Sequence, residues 1–181
     1  MKKNYVTNRR DFLLQSSLLA ASLVALPSVA VTPSPKYKMG LQLYTIREPL
    51  TKDVAGTIKK ISSFGYEDCE TYGYNPAERS YYGLKASAFK QVLADHQMIT
   101  TSGHYDFTKF FNKPASALLQ YTDQCIEGAH ALGQRYITWP WLDPEFRTLE
   151  NFKLLTGKLN LIGERVKKAG LAFAYHNHDF E

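Results

Sequence analysis

The sequence predicts an α/β chain built as an incomplete (β/α)8 barrel, and three observations carry that reading. Short apolar runs starting near residues 39, 66, 98, 136 and 171 read as strands, so a βα unit recurs every ~27–38 residues. The stretches between them place apolar side chains at helical spacing. Polar and aromatic residues gather at the C-terminal end of nearly every strand, where a barrel assembles its active face. Repeated βα units imply parallel strands joined by right-handed crossovers. A doubly wound open sheet shares this alternation. However, the first strand-to-helix turn, Thr45 to Leu50, has no Gly-x-Gly-x-x-Gly, so nothing supports a dinucleotide site. A full barrel needs eight strands and typically about 250 residues. Five strands are read here, so the chain is expected to be incomplete and to have little activity alone.

Each element has its own signal. Residues 39–45, Met-Gly-Leu-Gln-Leu-Tyr-Thr, alternate as a strand does, and the even-numbered Gln42 and Tyr44 share a face that can line a lumen. Asp53 can cap a helix carrying Val54, Ile58, Ile61 and Phe64, which Gly65 ends. Residues 65–71 form the second strand and lead to Glu70. The run 72–83 is tyrosine-rich and loop-like, either a rim over the active face or a surface loop packed on its own rings. Phe89, Val92 and Leu93 mark a helix near 87–97, followed by a strand over 99–104. Leu118, Leu119, Ile126, Ala129 and Leu132 mark a helix near 115–132, stopped by Gly133. A strand over 136–139 precedes a long helix from Leu149 through Val166, stopped by Gly170, and residues 171–178 form the fifth strand.

Composition supports a packed core: 44% of residues are hydrophobic and 22% charged, which excludes a disordered or collagen-like chain. Two cysteines, Cys69 and Cys125, are too few for a disulfide scaffold and read as separate buried thiols. The net charge of +5 is concentrated at the N-terminus. Residues 1–30 hold four basic groups and one acid, leaving 18 basic and 16 acidic groups in the rest. No basic face remains to suggest nucleic acid as a partner.

Residues 1–30 read as a targeting segment, with a basic start, an apolar stretch from Phe12 to Leu26, and small residues at Ser28 and Ala30 that suit cleavage after Ala30. The stretch is shorter than the ~20 residues of a membrane span. Asn8-Arg9-Arg10-Asp11-Phe12-Leu13 resembles a twin-arginine export signal, which implies the twin-arginine machinery as a partner and a periplasmic or exported product. Residues 31–38, with Pro33 and Pro35, read as a linker, and 39–181 as the partial barrel.

The chemistry concentrates in Tyr175-His176-Asn177-His178-Asp179-Phe180-Glu181. Two histidines two apart on a strand leave from one face. Two imidazoles followed by a loop carboxylate can present a divalent metal with nitrogen and oxygen ligands. The alternative is a pair of histidines hydrogen-bonded to neighbours. His104 and Glu70 end other strands on the same rim, as substrate contacts or as rim residues paired with neighbouring groups. Trp139 and Trp141 flank Pro140, and an indole face can stack on a flat apolar ligand face or pack in the core.

Residues 175–181 resemble the His-Asn-His-x-x-Glu signature of the sugar phosphate isomerase/epimerase family, in the xylose isomerase-like TIM-barrel superfamily. Gly40 to Arg47 is similar to that family's first strand, Phe64 to Glu67 to its second, and Gly103-His104 to the end of its third. The resemblance implies a metal-dependent enzyme acting on a small-molecule sugar by proton abstraction next to a carbonyl, with a divalent ion (Mn, Mg, Co or Zn) stabilising the enediolate. It implies Glu181 and His178 as catalytic groups, His176, His178 and Glu181 as metal ligands with the remaining ligands expected beyond the chain end, and His104, Glu70, Tyr44, Trp139 and His176 as substrate contacts. Epimerase relatives carry a ligand Glu inside strand five, where this chain has Tyr175 or His176. Two rival functions use the same pocket: a metal-dependent lyase or hydrolase of oxidised glycosides, and a non-catalytic exported sugar-binding protein. A metal-dependent abasic-site nuclease is disfavoured by the near-neutral charge outside the leader.

Overall fold

The computed structural model describes residues 37–181; the leader, its cleavage position and most of the 31–38 linker lie outside them. Strand β1 (Gly40–Gln42) runs into a 3-10 turn (Leu43–Ile46), then α1 (Arg47–Lys52) and α2 (Val54–Ser63). Strand β2 (Asp68–Thr71) is followed by a hairpin, β3 (Ser80–Tyr81) and β4 (Leu84–Lys85), and by α3 (Ala86–Asp95). The remaining units are β5 (Ile99–His104), α4 (Ala115–Leu132), β6 (Tyr136–Trp139), α5 (Leu149–Lys168) and β7 (Ala172–Tyr175).

The main sheet has five parallel strands in the order β1-β2-β5-β6-β7, so each long connection carries the chain one strand along. Helix ends follow local chemistry. The Asp53 carboxylate caps α2 by accepting from Gly56 N–H at 2.9 Å, and Gly133 closes α4 at φ +79°.

Register divides the sheet into two faces. Leu41, Cys69, Ile137, Trp139, Phe173 and Tyr175 share one face, and the core forms where this face meets Ile58, Ile61, Phe89, Leu118, Cys125, Ile162 and Val166 from the helices. The other face carries small and polar residues: Gly40, Gln42, Asp68, Glu70, Ser102, His104, Thr138 and Ala174.

A β-bulge keeps these faces consistent. Cys69 pairs with Thr100 but Glu70 pairs with Ser102, so Thr101 is the extra residue. Its otherwise orphaned N–H donates to Asp68 Oδ1 at 2.9 Å, and its hydroxyl donates to Asp68 Oδ2. A one-residue slip moves side chains to the opposite face. The bulge is therefore what brings Ser102 and His104 to the face of Glu70.

The tyrosine-rich run is loop and turn over residues 72–79, packed on its own rings, and ends in the β3–β4 hairpin. Tyr74 and Tyr81 are buried, and Tyr81 and Tyr105 share a hydroxyl bond of 2.8 Å. A Cβ at Gly128 of α4 would lie 2.8 Å from the Tyr74 ring, so only glycine admits this packing. Cys69 and Cys125 are free and buried, as expected for separate thiols.

Candidate active site at the strand ends

Glu70, His104 and His176 meet on the polar face at the C-terminal ends of β2, β5 and β7. His104 Nε2 stands 2.8 Å from Glu70 Oε2, and Ser102 Oγ donates to Glu70 Oε1 at 2.7 Å. Gln42 Nε2 faces His104 Nδ1 at 3.0 Å, which ties β1 to the same group. Burial works against the Glu70 charge, but the bonds from His104 and Ser102 outweigh it, and the carboxyl is held below its ordinary range. His176 continues the β7 ladder by donating its backbone N–H to Trp139 O at 3.0 Å, and its ring lies 5.3 Å from that of His104. Burial first, then the neighbouring His104 and His178, push the His176 imidazole below its usual value, favouring the neutral ring.

Beyond β7 the backbone stays extended enough for residues 176, 178 and 180 to project to one side. The rings of His176 and His178 stack in parallel at 4.7 Å, and Phe180 stacks on His178 at 5.2 Å. The Arg147 guanidinium closes the pile 3.5 Å from the Phe180 ring centre. His178 also meets the edge of Trp141 at 5.0 Å.

Four sequence expectations meet a different placement in the structure. The metal set of His176, His178 and Glu181 is not gathered: His178 is held face to face between two rings, and both Glu181 oxygens are occupied. Glu181 Oε1 accepts from Tyr175 Oη and Oε2 from His178 N–H, each at 2.7 Å, and these bonds outweigh partial burial to lower its pKa. Among the described residues no three of His, Cys, Asp and Glu come together as a metal site. The same bonds fold Glu181 back onto the strand end, and the ring stack holds His178 between His176 and Phe180. Trp139 is wholly buried because its register puts it on the helix-facing side; its Nε1 donates to Trp141 O at 2.6 Å. The exposed indole is Trp141. Tyr44 sits in the 3-10 turn rather than on β1, half exposed, with its ring edge-on to Tyr72 and under Arg47.

Gln134 carries no signal legible in the sequence. Buried just before β6, its amide donates to Thr71 Oγ1 at 2.7 Å, Thr100 Oγ1 at 3.0 Å and Ser102 O at 2.9 Å, and it accepts from Tyr105 Oη at 2.8 Å. It braces the bulge from behind. A Cβ at Gly103 would lie 2.6 Å from Thr71 Oγ1 and 2.9 Å from Gln134 Oε1, so Gly103 admits both side chains.

Comparison with solved structures agrees with this architecture. Two sugar phosphate isomerase/epimerases from Parabacteroides distasonis match at 23% and 25% identity, with TM-scores of 0.67 and 0.68. The matches cover 81% and 78% of this chain and 53% and 55% of theirs. A xylose isomerase-like TIM barrel protein from Mycobacterium smegmatis, in complex with magnesium, matches at 10% identity and TM-score 0.56, over 80% of this chain and 56% of that one. No family model and no curated protein matches the chain. The fold is thus that of the xylose isomerase-like TIM barrels, and the chain spans about half the length of these solved relatives. Among the described residues no helix is long and apolar enough to cross a membrane.

Proposed function

We propose that the protein is a sugar isomerase or epimerase that moves a proton next to a carbonyl, with Glu70 as the group that holds a substrate hydroxyl. One observation carries this reading: a carboxylate kept ionised by His104 and Ser102, beside a second imidazole, on the polar strand-end face of this fold. The kinship in fold to sugar phosphate isomerase/epimerases supports the substrate class. An ionised Glu70 accepts hydrogen bonds from adjacent hydroxyls, and His176, facing His104 across 5.3 Å, is the imidazole placed to take or return the proton. A divalent ion would polarise the carbonyl. The described residues do not complete a set of ligands for one, and the steps above use only this chain's side chains. The Arg9-Arg10 leader supports export by the twin-arginine route as part of the same proposal.

The test is deuterium exchange in D2O with free ketoses, keto-glycosides and sugar phosphates, at protein concentrations high enough to register the slow exchange expected of this chain alone. One class should exchange the hydrogen next to its carbonyl. Glu70→Gln should lower kcat/KM by about 10- to 100-fold, the loss of one hydrogen bond to a charged group. No exchange with any class would overturn the proposal; cleavage of keto-glycosides without exchange would favour the lyase or hydrolase reading.

A further inference from the structure

Both ring nitrogens of His104 face partners, and those partners fix where its proton sits. Tyr44 N–H, a backbone group that can only donate, is bonded to Gln42 Oε1. The other end of the same amide, the NH2 group, therefore faces His104 Nδ1 at 3.0 Å. An amide NH2 can only donate, so Nδ1 is the acceptor and the neutral ring carries its hydrogen on Nε2. Nε2 stands 2.8 Å from Glu70 Oε2. The His104 side chain is 12% exposed and that of Glu70 25%. His104 thus sits between β1 and Glu70 with neither nitrogen available to a sugar.

We propose that Gln42 is a positioning residue: its amide selects the Nε2–H tautomer of His104 and so keeps the ring hydrogen on the nitrogen that stands 2.8 Å from the Glu70 carboxylate. The chain of cause begins in the backbone. Strand β1 stops at Gln42, the 3-10 turn brings Tyr44 N–H back over the Gln42 side chain, and that contact decides which end of the amide meets the histidine. Ser102 Oγ bonds Glu70 Oε1 and His104 Nε2 stands beside Oε2, and the remaining lone pairs of the partly buried carboxylate receive the substrate. His104, read from the sequence as a sugar contact, acts instead through Glu70. This inference rests on the proposed function only in taking Glu70 as the group that meets substrate.

The tautomer can be read directly. In the full chain with 15N-labelled histidine, long-range 1H–15N spectra at neutral pH should show His104 with an unprotonated Nδ1 and a protonated Nε2, assigned by the signals lost in His104→Gln. Gln42→Leu removes the donor and should move both nitrogens to averaged, intermediate shifts. Gln42→Glu replaces the donor by an acceptor and should place a proton on Nδ1. In the deuterium-exchange assay Gln42→Leu and His104→Gln should each slow turnover, and the double variant should be no slower than His104→Gln alone. A wild-type ring protonated on Nδ1, or an equal mixture of tautomers, overturns the inference whether or not either variant folds. An Nε2–H tautomer in a protein that exchanges no sugar leaves the positioning role standing and refutes the proposed function instead.

Discussion

Asp68 holds the β-bulge that aligns the site, and its removal has a calculable cost. Its carboxylate accepts from the backbone N–H of Thr101 at 2.9 Å and from the Thr101 hydroxyl. Asp68→Ala leaves that N–H without its acceptor. A hydrogen bond to a charged group contributes about 1.5–3 kcal/mol, and each 1.4 kcal/mol is a factor of ten, so the Thr101 amide should exchange with solvent deuterium about 10- to 100-fold faster. Asp68→Asn keeps an oxygen for the N–H and should lose much less. The assay is amide hydrogen exchange by NMR, with Ile137 on the neighbouring strand β6 as internal control. Equal exchange at Thr101 in the wild type and Asp68→Ala would refute the claim that Asp68 holds the bulge. Equal losses in the Ala and Asn variants would refute the assignment of the effect to that single acceptor.

Three further outcomes follow from the same geometry. Trp139→Ala empties a completely buried indole site and should destabilise the fold by about 3–5 kcal/mol in urea unfolding, as core cavities of this size do. His176 has a folded-state pKa below its ordinary 6.5, so its contribution is fully present above that value and is lost as pH falls through the folded-state pKa. Glu70, held below 4.5, adds a second loss at lower pH, and His176→Gln should flatten only the first step in a series of urea midpoints against pH. Burial raises the Cys69 thiol to about 12 and the Cys125 thiol well above its usual value, so neither should react with a thiol reagent at pH 8 until urea unfolds the chain.

What was legible in the sequence depended on how local the determining interaction is. The strands over 99–104 and 136–139 and the helix over 115–132 match the structure because apolar periodicity and the glycine after the helix lie within one segment. Strand β1 is shorter than its alternation implied, since the Gln42 side chain turns back to the Tyr44 N–H and starts a 3-10 turn. The β3–β4 hairpin was hidden because its turn places Tyr82 and Gly83 at positive φ, +53° and +80°, without the Asn-Gly or Asp-Gly pair that marks such turns.

The site divides along the same line. Glu70, His104 and His176 could be found because each ends a strand on the active rim. Their grouping on one face could not, because it depends on a bulge that exists only in the pairing of β2 with β5. If Thr101 were paired regularly instead of bulged, Ser102 would stand opposite Thr71, and both Ser102 and His104 would point into the helix layer. Gln134 and Asp68 support the bulge from opposite faces, Asp68 through Thr101 and Gln134 through Ser102 O and Thr100. Both are about 30 residues from the strand they brace, too far for any local pattern to reveal. The catalytic promise of this face therefore rests on two polar side chains that need never touch a substrate.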